Sequence, residues 1–109
     1  MGSKIKTEIK KYASVCSYCG ITFTNKNQKT LDHCKPKSKG GKRTLGNIVV
    51  CCTKCNGLKA NIPFHVWIRD YKIKAALMRY LIYMEGFKKD YTKLIFEKIK
   101  KAEKCHQMI

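Results

Sequence analysis

The sequence predicts a small α+β protein: a ββα unit over residues 16–61, stapled by cysteines, with a helix before it and helices after it. Three observations predict this. Cys16-x-x-Cys19 and Cys52-x-x-Cys55 form two matching knuckles. Between them, an extended stretch at 30–36 and a β-branched apolar run at 47–52 read as strands. Beyond Ile62, apolar residues recur at helical spacing.

Taken in order, residues 1–15 form a basic N-terminal helix, with Ile5, Ile9 and Tyr12 on one face. The knuckle "CSYCG" follows. "ITFTNKNQKT" opens as a short strand and turns into a polar loop. In "TLDHCKP" Pro36 keeps Lys35 out of helical conformation, so the segment is extended. The glycines of "KSKGGKRTLGN" make a loop. "NIVVCC" is a buried strand, and "TKCNGLKAN" a short helix capped by Thr53. Residues 62–109 are a helical extension. Pro63 suits a first turn, and Phe64, Trp67, Ile68 and Tyr71 share a face. Ile73, Leu77, Tyr80, Leu81 and Met84 continue one until Gly86. Asp90 caps a last helix with Tyr91, Leu94, Ile95, Ile99 and Ala102 inward.

The chain carries 24 Lys and Arg against 7 Asp and Glu, a formal net charge of +17 in 109 residues. Such self-repulsion costs stability, so an anionic partner is expected, nucleic acid first. A solvated lysine surface is the plainer reading. No segment has the ~18 consecutive apolar residues of a membrane span. The N-terminus lacks the apolar core of a secretory signal, and Lys6 breaks a myristoylation motif. A cytoplasmic protein is expected, with its seven cysteines reduced or bound to metal rather than in disulfides.

A tetrahedral zinc takes four thiolates, and each C-x-x-C turn presents two of them on one side. Cys16, Cys19, Cys52 and Cys55 are therefore expected to hold a structural zinc, with no position left open for substrate. Cys51 competes with Cys52 for the second knuckle; Cys52 has the standard spacing and leaves Cys51 to the strand's apolar face. Cys34 and Cys105 read as ordinary thiols. The insert between the knuckles is long, and it contains Asp32-His33.

Cleaving a DNA phosphodiester requires a base for the attacking water and positive charge on the phosphoryl and leaving oxygens. Histidine suits the first task and a divalent metal the others. Strand alternation sends Asp32 and His33 to opposite sides. Asp32 then holds a metal while His33 faces the water. Asn56, on the helix anchored by Cys55, supplies a second hard oxygen, which favours Mg²⁺ or Mn²⁺. Asn47, starting the second strand, is placed to bridge backbone groups across the glycine loop and fix His33. Singly, each of these residues has a bland reading as a turn, cap or surface group.

"YCG", "LDHCKPKSKGG" and "LGNIVVCCTKCNGLKAN" together resemble the HNH endonucleases, the ββα-metal nucleases, in their four-cysteine zinc form. The resemblance covers residues 16–61. It implies that His33 is the general base, Asp32 a metal ligand, Asn47 the middle asparagine and Asn56 the third motif residue, often histidine in the family. It also implies contact with DNA phosphates, for which Lys35, Lys37, Lys39, Lys42, Arg43 and Lys59 are the candidates.

The helical extension is expected to dock on DNA, pack on the nuclease unit, or form a homodimer through its Tyr/Met/Leu face at 77–84. Any sequence preference would come from it or from a partner protein. Trp67 reads as core; His65 and His106 read as surface. The competing reading of the whole chain is a non-catalytic four-cysteine zinc module that binds nucleic acid by charge alone. A nuclease that also degrades RNA is a third.

Overall fold

The computed structural model describes residues 3–107, with side chains from Lys6 to Cys105. Met1, Gly2 and the side chains of Ile5 and His106 therefore lie outside the described residues. Helix α1 spans Ser3–Tyr12. Strand β1 is Lys29–His33 and β2 is Ile48–Cys52. Helices α2 (Thr53–Lys59), α3 (Phe64–Trp67), α4 (Tyr71–Met84) and α5 (Lys89–Gln107) follow.

The strands pair antiparallel, Lys29 opposite Cys52 and His33 opposite Ile48. All five residues of β2 are buried, as a β-branched run covered on both faces must be. Tyr80 of α4 ties the helices to this strand: its hydroxyl accepts from Val50 N (3.2 Å) and lies 2.9 Å from the Tyr91 hydroxyl of α5. Both phenols are buried and satisfied, so they contribute core area without a stranded polar group.

The expected strand at 21–24 reduces to one bridge, Val15 to Thr22. With Ile21 exposed, nothing covers a longer strand there. Thr53 does not cap α2; the Cys52 sulfur does, accepting from Cys55 N at 3.4 Å. Tyr71 leaves the predicted face and is 74% exposed. The chain stops helically after Trp67 and restarts at Asp70, whose carboxylate accepts from Lys72 N, so the two apolar faces are out of phase. Asp90 lies inside the first turn of α5, which begins at Lys89. Leu94 is exposed rather than inward and leans on Gly46, where an added Cβ would stand 2.8 Å from it.

Leu77, Tyr80, Leu81 and Met84 are all buried within this chain. The face expected to form a dimer is thus already consumed, and dimerisation receives no support. Trp67 is half-buried and packs against the core rather than within it, its ring edge-on to Tyr18. His65 is half-buried rather than a surface side chain. Among the described residues, no helix is long and apolar enough to cross a membrane.

Candidate functional site

The first knuckle lies on the turn after α1, closed by Cys16 N to Ile21 O and Gly20 N to Cys16 O. The second lies where β2 enters α2. The first knuckle is bonded directly to β2, Ser17 N donating to Val50 O at 3.0 Å, and the sulfurs of Cys16, Cys19, Cys52 and Cys55 all lie within 4.8 Å of one another. The Cys19 and Cys52 sulfurs are 3.8 Å apart. Four thiolates 2.3 Å from a tetrahedral ion would stand about 3.8 Å apart, so the donor set fits zinc. Backbone N–H groups of Tyr18, Cys19 and Cys52 donate to Cys16 sulfur at 3.4, 3.4 and 3.2 Å. Such donors offset the negative charge of thiolates. Cys51 is buried on the other side of β2, and burial pushes its thiol well up. Burial likewise lifts the Cys34 thiol to about 12, with the Asp32 charge adding to it.

One strand residue apart, Asp32 and His33 occupy different surroundings. Asp32 is 5% exposed. Its Oδ2 accepts from the Tyr18 hydroxyl at 2.7 Å and lies 3.3 Å from Lys59 Nζ. Burial raises the Tyr18 phenol well above its usual range, helped by Cys34 and Asp32, so it remains an O–H donor. Lys59 also donates to His33 O at 2.9 Å. His33 is half-buried, and its Nε2 is buried with no hydrogen-bond partner. Its pKa is lowered from the usual imidazole value, first by desolvation and then by Lys37, with Arg43 and Lys59 adding and Asp32 opposing. A neutral imidazole with an unpartnered ring nitrogen is a base with nothing yet to act on.

Asn47 is buried and bridges the loop. Its Oδ1 accepts from Lys35 N (2.7 Å), while Nδ2 donates to Lys35 O (3.1 Å) and Lys42 O (2.8 Å). Its backbone carbonyl accepts from Cys34 N at 2.8 Å, the residue after His33. The glycine pair lets this loop close. Gly40 has φ 87°, and a Cβ on Gly41 would stand 1.7 Å from Lys35 O.

Asn56 Nδ2 donates to Thr30 Oγ1 at 3.1 Å, leaving its amide carbonyl outside that bond. Thr30 and Asp32 share a face of β1, so Asn56 lies on the Asp32 side of the strand. Lys59, one turn further along α2, is the cation that reaches Asp32 itself. A carboxylate and an amide carbonyl are hard oxygen donors suited to Mg²⁺ or Mn²⁺.

Lys35, Lys37, Lys39, Lys42 and Arg43 are all exposed around this loop. Lys59 is not: at 0% exposure it is a buried ion-pair partner, and its expected phosphate contact is corrected. Helical spacing places it on the face of α2 that packs on β1, a face the sequence leaves ambiguous in so short a helix. The contact that Tyr18 makes is likewise hidden in the sequence. Its position inside the C-x-x-C turn was visible, but its partner fourteen residues on depends on how the knuckle packs against β1.

Residues 16–61 match the family of HNH endonucleases. The CRISPR-associated endonuclease Cas9 of Corynebacterium diphtheriae is 29% identical over 121 aligned positions, covering 93% of this chain and 11% of that protein. Cas9 of Actinomyces naeslundii is 42% identical over 53 residues, 48% of this chain and 5% of that protein. The crystal structure of the Type II-C Cas9 enzyme from Actinomyces naeslundii is similar with a TM-score of 0.60 and 28% identity, covering 85% of this chain and 12% of that one. The chain thus spans about a tenth or less of the length of the curated relatives it matches.

Proposed function

Since residues 16–61 are an HNH endonuclease domain related to the HNH region of Cas9, we propose that this chain hydrolyses phosphodiester bonds of DNA. His33 takes the proton from the attacking water. Asp32 and Asn56 hold a hard divalent cation, Mg²⁺ or Mn²⁺, and Cys16, Cys19, Cys52 and Cys55 hold a structural zinc. When bound, the divalent ion neutralises the phosphoryl oxygens and stabilises the leaving 3′-oxygen. Lys35, Lys37, Lys39, Lys42 and Arg43 hold the DNA backbone by charge. Asn47 keeps the loop closed, so that His33 has one position.

The observation that carries this reading is a half-buried His33, held toward its neutral form by desolvation and nearby cations and adjacent in the strand to a buried carboxylate held by two donors. A module that bound DNA by charge alone has no use for either. Incubation of supercoiled plasmid with the protein and Mg²⁺ or Mn²⁺ tests it. His33→Ala is expected to lower cleavage about 10²- to 10⁴-fold while DNA binding, read by fluorescence anisotropy, is retained. Equal cleavage by His33→Ala would remove the assignment, and binding without cleavage by the unaltered chain would favour the non-catalytic module.

A further inference from the structure

Both donors that hold Asp32 arrive at the same oxygen. The Tyr18 hydroxyl donates to Oδ2 at 2.7 Å, and Lys59 Nζ stands 3.3 Å from that atom. Oδ1 takes part in neither contact. Tyr18 lies between Cys16 and Cys19, and its backbone N–H donates to Cys16 sulfur. Its ring is 1% exposed, with Trp67 packed edge-on at 5.4 Å between ring centroids. A phenol has two side-chain torsions, and packing holds both. The hydroxyl therefore goes where the knuckle puts it.

Resting on the reading that Asp32 holds a divalent cation, we infer that Tyr18 is a positioning residue that ties the cysteine cluster to the Asp32 carboxylate. It occupies Oδ2 and leaves Oδ1 to face the cation. Groups that hydrogen-bond a ligating carboxylate commonly set its orientation and so its affinity for metal. On this account the sulfur-bound ion does more than staple the fold. By holding the knuckle it holds the hydroxyl on Oδ2, where Lys59 is the carboxylate's other donor.

Tyr18→Phe removes one oxygen and keeps the ring. The test measures Mn²⁺ binding to the full chain by electron paramagnetic resonance, with zinc content measured on the same sample. The expected result is one zinc per chain as in the unaltered protein, an Mn²⁺ dissociation constant raised about tenfold or more, and cleavage that recovers as Mn²⁺ is increased. Unchanged Mn²⁺ affinity with zinc retained overturns the tether. Asp32→Asn, run alongside, separates the two claims. Mn²⁺ binding that survives Asp32→Asn overturns the cation reading and the tether with it. Binding lost in Asp32→Asn but intact in Tyr18→Phe overturns the tether alone. If Tyr18→Phe does not retain zinc, Trp67→Leu decides, because it keeps the hydroxyl on the ring but removes the packing that fixes where the ring holds it. A raised Mn²⁺ dissociation constant there supports the tether, and an unchanged one overturns it.

Discussion

The sulfur cluster and the Asp32-His33 corner lie on one ββα unit, yet they are built on opposite principles. The cluster is four like ligands from two local turns, braced by N–H···S bonds within each knuckle and by one between them, from Cys52 N to the Cys16 sulfur. Each knuckle brings its own geometry, and the fold needs only to bring the two together. The corner is made of unlike groups from distant parts of the chain: Tyr18 from the first knuckle, Asp32 and His33 from β1, Asn47 from the loop before β2, and Asn56 and Lys59 from α2. Apart from the adjacent pair Asp32 and His33, and Asn56 with Lys59 on one helix, these groups meet only through the fold. The closed cluster leaves no open position, which suits structure. The corner keeps a bare ring nitrogen and an incompletely used carboxylate, which suits chemistry.

That contrast predicts how each region fails. The largest effect should follow from removing the sulfur-bound ion. Chelation, or Cys16→Ser, should cost on the order of 10 kcal/mol of folding free energy, visible as loss of the cooperative thermal transition. A sharp transition that survives in metal-free protein would show that the apolar core alone carries this small, highly charged chain. Next in size is Lys59→Met. It strands the buried Asp32 carboxylate and frees His33 O, and breaking such a pair costs about 3–5 kcal/mol. Urea denaturation should show the drop while zinc content stays at one per chain; a change below 1 kcal/mol would mean the pair is solvated. Smallest is Asn47→Ala. It removes the three bonds that the Asn47 amide makes across the loop, at about 1–3 kcal/mol of stability. Cleavage should fall by more than that loss explains, since the His33 position depends on the loop. A fall in stability with cleavage unchanged would make Asn47 a purely structural brace.

The same contrast governs what the sequence made legible. The cluster, the two central strands and α2 were readable because their signals are local: two C-x-x-C spacings, a β-branched run, a proline and a glycine pair. The backbone bridges of Asn47 were readable too, because a short loop limits what its amide can reach. Lys59 was not. A lysine in a chain of net charge +17 reads as surface, and only packing of α2 on β1 makes it a buried counter-ion. Tyr18 escaped for a related reason, since a tyrosine in a knuckle is unremarkable until its hydroxyl is seen to meet Asp32. In the helical extension, periodicity found the helices and missed the break at Ile68–Asp70, where Asp70 restarts the chain in a new phase. Apolar surplus on α4 suggested a second copy; Tyr91 and the rest of α5 cover that face instead.

The central claim is that two unlike cations serve this unit, one closed in sulfur and one held by oxygen beside His33. It is tested most directly by anomalous diffraction from crystals of the His33→Ala chain bound to a DNA duplex and grown with Mn²⁺. The account predicts a zinc-edge peak among Cys16, Cys19, Cys52 and Cys55, and a manganese peak in contact with both Asp32 and Asn56. A manganese peak remote from those two side chains, or none at all with DNA in place, would contradict it.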